Sequence, residues 1–599
     1  MCGFIAAIGN NLGEKVIKST KRIVHRGPDE TNYLFLENEN IYLGHNRLTI
    51  MDLNNGKQPY QSEDANLILL FNGEIYNQNY FREKLKKLNI NLKSKSSDTE
   101  VLLKSYEKFG EQVFSEIDGQ FAICLINRKK KEIILARDKF GEKPLFYFVS
   151  QNEIIISSQL DSFKFFLNEK LEINPNSLAK FFLYSHVPSP NTIYRNIFKL
   201  EHAHLCKINF SNNKIIKRKY YEPLIKEKNY KNEEDYLEEL DSLITNSTKL
   251  RLNSDVEMGL FLSGGLDSSL AAYYMIKNGY SPKSFSISID NEHLNEKKSY
   301  QFVNSLFKLD NYQINFSKND FQKQIDSIVN KLDEPLGATT YVTMFVLSQL
   351  AAQKVKTVIT GDGADEIFGG YEMVEKQKLI NYINNCKLNK PLSNSLKLFE
   401  KVFSKILSSE LRFKLSRFQN SIIQEPYKQN LSLLSSIPID EIDNFFVSKL
   451  DKDEVFFDIN SFNENYKDLD VNKKNILYFY NFYLPNLICS RSDKAGMFNS
   501  LEIRSIFLNS SILEFALSIP NDKSYLVRGK TILKKIASKN IHKRFSSLKK
   551  GGFTYPINEW LDYNYKENIK NTLQIHNIKR KNPGMRNFNH CLKIIDKFL

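Results

Sequence analysis

Seven residues, Ser263-Gly264-Gly265-Leu266-Asp267-Ser268-Ser269, separate an apolar run from Val256 to Leu262 from a helical pattern that begins at Leu270 and reaches about Lys277. Strand, glycine loop and helix in that order open a parallel strand–helix unit, so this stretch commits the chain to an α/β sheet. Two glycines let backbone N–H groups approach an anion. Ser263, Ser268 and Ser269 supply hydroxyls, and the helix N-terminus adds partial positive charge. The ligand such a loop suits bears phosphate. It lacks the Lys-Ser/Thr ending of the loop that cradles a γ-phosphate, and Asp267 is a candidate ligand for magnesium bridging phosphates.

The bland alternative is a Gly-Ser helix cap without a ligand. A second loop weighs against it: Thr360-Gly361-Asp362-Gly363-Ala364-Asp365-Glu366 follows the apolar run Thr357 to Thr360 and precedes Phe368-Gly369-Gly370-Tyr371. Acidic residues among glycines at a strand end suit a magnesium–phosphate site. Further runs at Ser284 to Ile289 and Tyr312 to Phe316 alternate with helical segments, and Tyr236, Leu237, Leu240, Leu243 and Ile244 recur at helical spacing. This predicts a parallel sheet covered on both faces, with ligands at the carboxyl ends of its strands. After Tyr371 the β-runs largely stop and helices are expected, some with a lysine-rich face.

The first 210 residues have a different grammar. Short β-runs, Phe4 to Ile8, Leu67 to Phe71 closed by Asn72-Gly73, Phe121 to Ile126, Ile133 to Ala136 and Ile154 to Ser157, predict a largely β domain. Residues 214–232, dense in Lys, Tyr and Asn, read as a connection. The expected domains are therefore 1–213 and 233–599, which suits a chain of 599 residues. A hydrophobic fraction of 41% excludes collagen-like and largely disordered classes, and the net charge of +15 permits nucleic acid as a partner without demanding it. Six scattered cysteines without a C-x-x-C pair indicate neither a disulfide framework nor a cysteine zinc site, and fit a reducing cytoplasm. No apolar stretch is long enough to span a bilayer, and the start lacks a secretory pattern.

Cys2 would head the chain if Met1 were removed, its thiol a nucleophile and its own α-amine the base. Alone, such a cysteine is more often a small residue opening a strand. Its surroundings are more specific: Cys2-Gly3, His25-Arg26-Gly27-Pro28-Asp29, Gly44-His45-Asn46-Arg47-Leu48, Asn72-Gly73-Glu74-Ile75-Tyr76-Asn77 and Ser97-Asp98-Thr99-Glu100 occur in order. With the two glycine loops, the sequence resembles the glutamine-dependent asparagine synthetase family, a class II glutamine amidotransferase joined to an ATP-pyrophosphatase-type synthetase domain. The resemblance runs from Cys2 to about Leu561.

The resemblance implies an N-terminal-nucleophile fold, an αββα sandwich, followed by a parallel-sheet ATP-pyrophosphatase domain with a helical C-terminal extension. It implies that Cys2 attacks the glutamine amide and forms a thioester, releasing ammonia, with the Asn72 side chain and Gly73 N–H as oxyanion donors. Arg47 would hold the α-carboxylate of glutamine and Asp98 its α-ammonium, and Glu74 would orient the substrate. In the second half Ser263, Gly264, Gly265 and Ser268 would wrap pyrophosphate, Asp267 and Asp365 bind magnesium, and Leu262, Ile287 and Gly361 contact adenosine, largely through backbone. Lys530, in Gly529-Lys530-Thr531, would stabilise the adenylate and its leaving group, and Asp362 completes the catalytic set. ATP is expected as a substrate, glutamine as nitrogen donor and aspartate as default acceptor, with no specific nucleic-acid partner and with homodimer association allowed.

Looser matches follow at Asp493-Lys494-Ala495-Gly496-Met497, Ser500-Leu501-Glu502-Ile503-Arg504 and Lys550-Gly551-Gly552-Phe553. Two departures bear on the acceptor. Ile506-Phe507-Leu508-Asn509 stands where the family commonly has Pro-Phe-Leu-Asp, and Asp362 stands where asparagine makers usually have Glu. Aspartyl relatives include enzymes that amidate sugar uronic acids, so a uronamide-forming enzyme is the rival reading. A third, an inactive scaffold binding nucleic acid through clusters such as Lys579-Arg580-Lys581, is opposed by the presence of Cys2, Asp267, Asp365 and Lys530. His202, His204 and Cys206 alternate on one strand without a fourth ligand and are expected to be structural. Arg128-Lys129-Lys130-Lys131 reads as a solvated hairpin tip.

Overall fold

A computed structural model describes residues 2–53, 55–167, 171–291, 295–403, 406–407, 409–424, 426–437, 439–547, 555–561 and 588–598. The Lys550-Gly551-Gly552-Phe553 match and the Lys579-Arg580-Lys581 cluster lie outside these residues.

Two six-stranded antiparallel sheets build the first half. One runs, edge to edge, through Phe198–Lys199, Phe146–Val149, Ile154–Ser157, Cys2–Ile8, Ile41–Arg47 and Glu30–Leu36. The other runs through Lys214–Lys219, His204–Asn209, Glu132–Arg137, Gly119–Asn127, Leu67–Ile75 and Tyr60–Gln61. Alternation along each strand decides the layers. Phe4, Ala6 and Ile8 meet Ile68, Leu70, Ala122 and Cys124 between the sheets. Ile5 and Ala7 face outward onto Leu12, Val16 and Ile23 around helix Gly13–Arg22, while Leu67, Leu69 and Phe71 face Phe81, Val101 and Leu102 on helices Gln78–Lys87 and Asp98–Phe109. Strands buried on both faces need continuous apolar runs, which is why the sequence shows them. The result is the expected αββα sandwich.

Two local expectations fail. Asn72-Gly73 does not turn the chain: strand Leu67–Ile75 carries on through both residues, paired to Gly119–Asn127 throughout. Residues 214–219, read as connection, form an edge strand on His204–Asn209. Its lysine-rich, exposed pattern is one way an outer strand resists further pairing.

The second half carries a five-stranded parallel sheet in the order Asn311–Phe316, Lys283–Ile289, Met258–Phe261, Thr357–Thr360, Glu502–Ser505. Leu260 and Ile359 face helices Glu233–Arg251 and Leu266–Lys277, and Phe261, Phe285 and Val358 face helices Lys318–Val329 and Tyr341–Ala351, so both faces are covered. The chain winds outward from Met258–Phe261 in one direction and then returns to Thr357–Thr360 on its other side. Ligands bind at such a switch point, and both glycine loops sit there. Strand Glu502–Ser505 lies where only helices were expected. Four residues with two buried charges carry no apolar alternation, and its pairing with Thr357–Thr360 makes it a strand. The remaining chain is mostly helical, including a π-helical stretch Phe479–Ile488 with Pro485 inside it. Among the described residues no helix is long and apolar enough to cross a membrane.

Candidate active site

Antiparallel register sets Cys2 opposite Arg47, so a strand start and a strand end meet at one end of the first sheet. The Cys2 N–H donates to Asn72 Oδ1 at 3.0 Å. That bond fixes the Asn72 amide with its oxygen toward Cys2, and the buried Nδ2 is left without a protein partner. An unmet buried donor costs about 1–3 kcal/mol, which a ligand oxygen would recover. At Gly73 a Cβ would stand 2.1 Å from the Gln120 carbonyl oxygen, so only glycine lets the strand pass here. The Arg47 guanidinium donates to the carbonyls of Met51 (3.1 Å) and Asp52 (2.5 Å) and lies 3.6 Å from Glu30. Asp98, first residue of its helix, accepts from the Ile75 N–H at 3.2 Å. Burial pushes the Glu74 and Asp98 carboxyls up, and Asp98 adds to the shift of Glu74. Two neighbouring buried carboxyls favour a cationic ligand. Burial also pushes the Cys2 thiol up, and the Arg47 charge offsets part of this.

The second site is a 470 Å³ cavity at the switch point. Gly264 takes φ +76°, and a Cβ there would meet the Ser299–Tyr300 backbone at 2.2–2.4 Å, so glycine is required twice over. Ser263 Oγ accepts from the Gly265 N–H (3.2 Å) and lies 3.0 Å from Ser268 Oγ. The helix starts at Leu266, four residues earlier than expected, which brings Asp267 and Ser268 into its first turn. In the second loop a Cβ on Gly361 would come within 2.6 Å of Asp267 Cβ, so the two loops touch. A third strand of chain closes over them: the N–H groups of Gly529 and Lys530, both in left-handed conformation, donate to Gly369 and Phe368. Lys530 Nζ thereby stands 2.6 Å from both Asp267 Oδ2 and Asp365 Oδ1. Burial alone would lower this amine, but the two carboxylates outweigh it and hold the ammonium above its ordinary value. Two carboxylates converging on one cation are a hard-oxygen donor set that fits magnesium, with Lys530 standing where positive charge is wanted.

Asp362 is gripped from the other side. Its Oδ1 accepts from Arg491 Nη2 and its Oδ2 from the Ser492 hydroxyl, each at 2.6 Å, and Arg491 Nη1 donates to Thr340 Oγ1 at 3.1 Å. Both partners follow the π-helical stretch, whose Tyr483, Leu487 and Ile488 line the cavity. Glu366 accepts from the Tyr371 hydroxyl, and burial with the Asp365 charge pushes it up to about 7. Tyr184 and Ser185 reach this cavity from the first domain, anchored where the Gly337 N–H donates to the Ser185 carbonyl at 2.7 Å.

Buried ion pairs join the two halves. Arg26 makes a bidentate pair with Asp493, 2.9 Å on each arm, and donates to the Cys2 carbonyl at 3.3 Å. Lys143 lies 3.8 Å from Asp493, Lys199 pairs with Glu334 at 2.9 Å, and Arg504 lies 3.8 Å from Glu74. Between the halves is a cavity of 20 Å³ lined by Gln120, Glu142 and Lys143 on one side and by Thr360, Asp362 and Ser492 on the other.

The expected residues thus gather at two places. Cys2, Arg47, Asn72, Gly73, Glu74 and Asp98 surround that end of the first sheet. Ser263, Gly265, Asp267, Ser268, Gly361, Asp362, Asp365 and Lys530 line the cavity. Leu262 and Ile287 have buried side chains in the core and Gly264 packs on the next helix; none of the three lines the cavity, which leaves backbone contact as their means of meeting a ligand. Phe261 does line it. Arg491 and Ser492 went unassigned in the sequence because Asp362, which both hold, lies 129 and 130 residues away. Asn509 accepts from the Ser511 and Ile512 N–H groups, the capping task an Asp would perform, and donates to Asp118 at 2.8 Å. His202 packs against Tyr480, His204 bonds the His202 carbonyl and Cys206 is in the core, so these three form no shared metal face. Arg128 to Lys131 turn between two strands, with Arg128 paired to Glu39.

Comparison with known proteins finds two family profiles along the chain. A profile described as glutamine amidotransferase domain matches residues 1–221, and one described as asparagine synthase matches residues 239–587. Asparagine synthetase (glutamine-hydrolyzing) 1 of Bacillus subtilis is 28% identical over 96% of this chain and 90% of its own length. A Methanocaldococcus jannaschii protein, provisionally named asparagine synthetase (glutamine-hydrolyzing) 2, is 35% identical over 62% of this chain and 76% of its own. The chain therefore belongs to the asparagine synthase family of glutamine-hydrolysing amide ligases, with its amidotransferase domain ahead of the synthase domain.

Proposed function

We propose that the chain makes asparagine, taking ammonia from glutamine at Cys2 and delivering it to aspartate activated as an acyl-adenylate. With Met1 removed, the Cys2 α-amine, whose ordinary pKa is about 8, takes the thiol proton and the sulfur attacks the glutamine amide carbon. The oxyanion that forms is met by Asn72 Nδ2, the buried donor without a protein partner. Collapse expels ammonia and leaves a thioester, which water hydrolyses to glutamate. Arg47 and the Glu74–Asp98 pair would hold the two charged ends of the amino-acid head group.

In the other cavity a carboxylate oxygen of the acceptor attacks the α-phosphorus of ATP and pyrophosphate leaves. Ammonia then attacks the acyl carbon and AMP departs. Asp267 and Asp365 would hold magnesium, which when bound would supply charge neutralisation at the phosphates. Lys530 adds a fixed ammonium at the same place, and the Ser263–Ser268 loop at a helix N-terminus offers N–H and hydroxyl donors to pyrophosphate. Asp362, oriented by Arg491 and Ser492, stands ready to accept a proton from the attacking amine.

The observation that carries this reading is that Thr360 and Asp362 line both the synthetase cavity and the small cavity between the domains, whose far side is Gln120, the strand partner of Glu74. Ammonia released at Cys2 would cross to the activated carboxylate by way of this small cavity. The test is pyrophosphate release from Mg-ATP and glutamine with aspartate, compared with a panel of uronic acids and nucleotide-linked uronates. Aspartate-dependent release is expected. A response to a uronate and none to aspartate would overturn the acceptor, and no response to any carboxylate would overturn the adenylation step.

A further inference from the structure

The helices after Tyr371 leave an apolar surface that neither site uses. Helix Asn389–Phe403 packs through Leu392 and Leu396 onto Ile380, Ile383 and Ile422. Elsewhere on it Leu398 and Val402 are each 63% exposed, and Ile406, whose N–H donates to the Phe403 carbonyl, is 81% exposed. Positions four apart stack on one helix face, so Leu398 and Val402 make a ridge, and Ile406 is exposed just past the helix end. Phe399 and Phe403, ring centroids 4.7 Å apart, border it and are themselves partly exposed. An exposed apolar ridge of this extent marks a place of contact.

Charge selects the partner. From Cys386 to Gln424 the sequence has eight Lys or Arg against two Glu. Lys390 and Lys397, two turns apart and so in one row of the helix, are exposed. A second copy seated on this face would set like charge against like. An anionic lipid surface satisfies both features: apolar side chains enter the boundary between headgroups and acyl chains, and lysines pair with the headgroups. We propose that this helix is a membrane-surface contact, with Leu398, Val402 and Ile406 inserted into an anionic bilayer and Lys390 and Lys397 lying against its headgroups. The protein would lie on the bilayer and not span it. The adjoining helix Pro426–Leu434 ends at Leu434 in the wall of the synthetase cavity, so the contact belongs to the helical region that frames that site.

The test is co-sedimentation of the full chain with vesicles of phosphatidylglycerol and phosphatidylcholine in equal parts, and with phosphatidylcholine alone. Binding to the anionic vesicles is expected, weakening with added salt. It should fall about tenfold or more in Leu398→Ser/Val402→Ser/Ile406→Ser and fall again in Lys390→Glu/Lys397→Glu. Both variants should keep wild-type glutaminase activity and thermal transition, because every altered side chain is exposed. No binding, equal binding to both vesicle types, or a wild-type self-association lost in the serine variant would each overturn the proposal.

Discussion

Replacing Arg26 by Met removes both arms of the Arg26–Asp493 pair and leaves Asp493, whose side chain is 2% exposed, with Lys143 at 3.8 Å as its remaining cation. Breaking a buried pair from one side costs about 3–5 kcal/mol, because the surviving charge stays out of water. Loss of the bond to the Cys2 carbonyl adds about 1 kcal/mol. Asp493→Leu should cost a similar amount by stranding Arg26. In the double variant neither charge is stranded, so its deficit should fall short of the sum of the singles by about 2–3 kcal/mol. Urea unfolding of the full chain, followed by circular dichroism for all four proteins, measures that difference. In native protein burial would raise the Asp493 pKa, but Arg26 outweighs it and holds it below the ordinary carboxylate value. The pair's contribution is therefore present above the unfolded pKa near 4 and is lost as pH falls through the lower native value, so the Arg26→Met deficit should shrink in acid. Deficits that add within about 0.5 kcal/mol would refute the claim that this ion pair ties the two halves together.

Three further outcomes follow from the sites. Asn72→Ala should lower glutamine hydrolysis by about 10²–10³ while ammonia-dependent synthesis stays near wild type; equal loss of both would remove Asn72 from the oxyanion site. Lys530→Met uncovers the Asp267–Asp365 carboxylates, so magnesium without nucleotide should raise its melting temperature more than that of wild type, and equal shifts would contradict a shared cation position. Burial, with Asp138, pushes Glu142 up to about 8. The native carboxyl therefore keeps its proton where the unfolded chain has lost it, and stability should fall as pH rises from about 4.5 to 8. Glu142→Gln should melt higher than wild type by a margin that widens across that window, and a constant margin would deny the shift.

The sequence displayed the fold where strands are buried on both faces. Leu67 to Phe71 and Ile133 to Ala136 are apolar because sheets and helices sandwich them, and they read correctly. Glu502–Ser505 did not, since its stability comes from edge pairing and from ion pairs of Arg504 with Glu502 and Glu74, and periodicity registers neither. The phosphate loop was legible because its glycines and serines stand between a strand and a helix in one continuous stretch, although the steric demands on Gly264 and Gly361 come from Ser299–Tyr300 and Asp267. Cys2 and Asn72 were found as motif residues, yet the bond between them needs a register seventy residues apart. Arg491 gave no signal, because its task is set by Asp362, to which only the folded chain brings it.

Central to the proposed function is that ammonia passes between the two sites without entering bulk water. It is tested most directly by supplying glutamine labelled with ¹⁵N in its amide, together with Mg-ATP, aspartate and an excess of unlabelled ammonium, and measuring ¹⁵N in the amide of the product by mass spectrometry. Product enrichment well above that of the mixed ammonia pool is the predicted result. Enrichment diluted to the ratio of the mixed ammonia pool would contradict it.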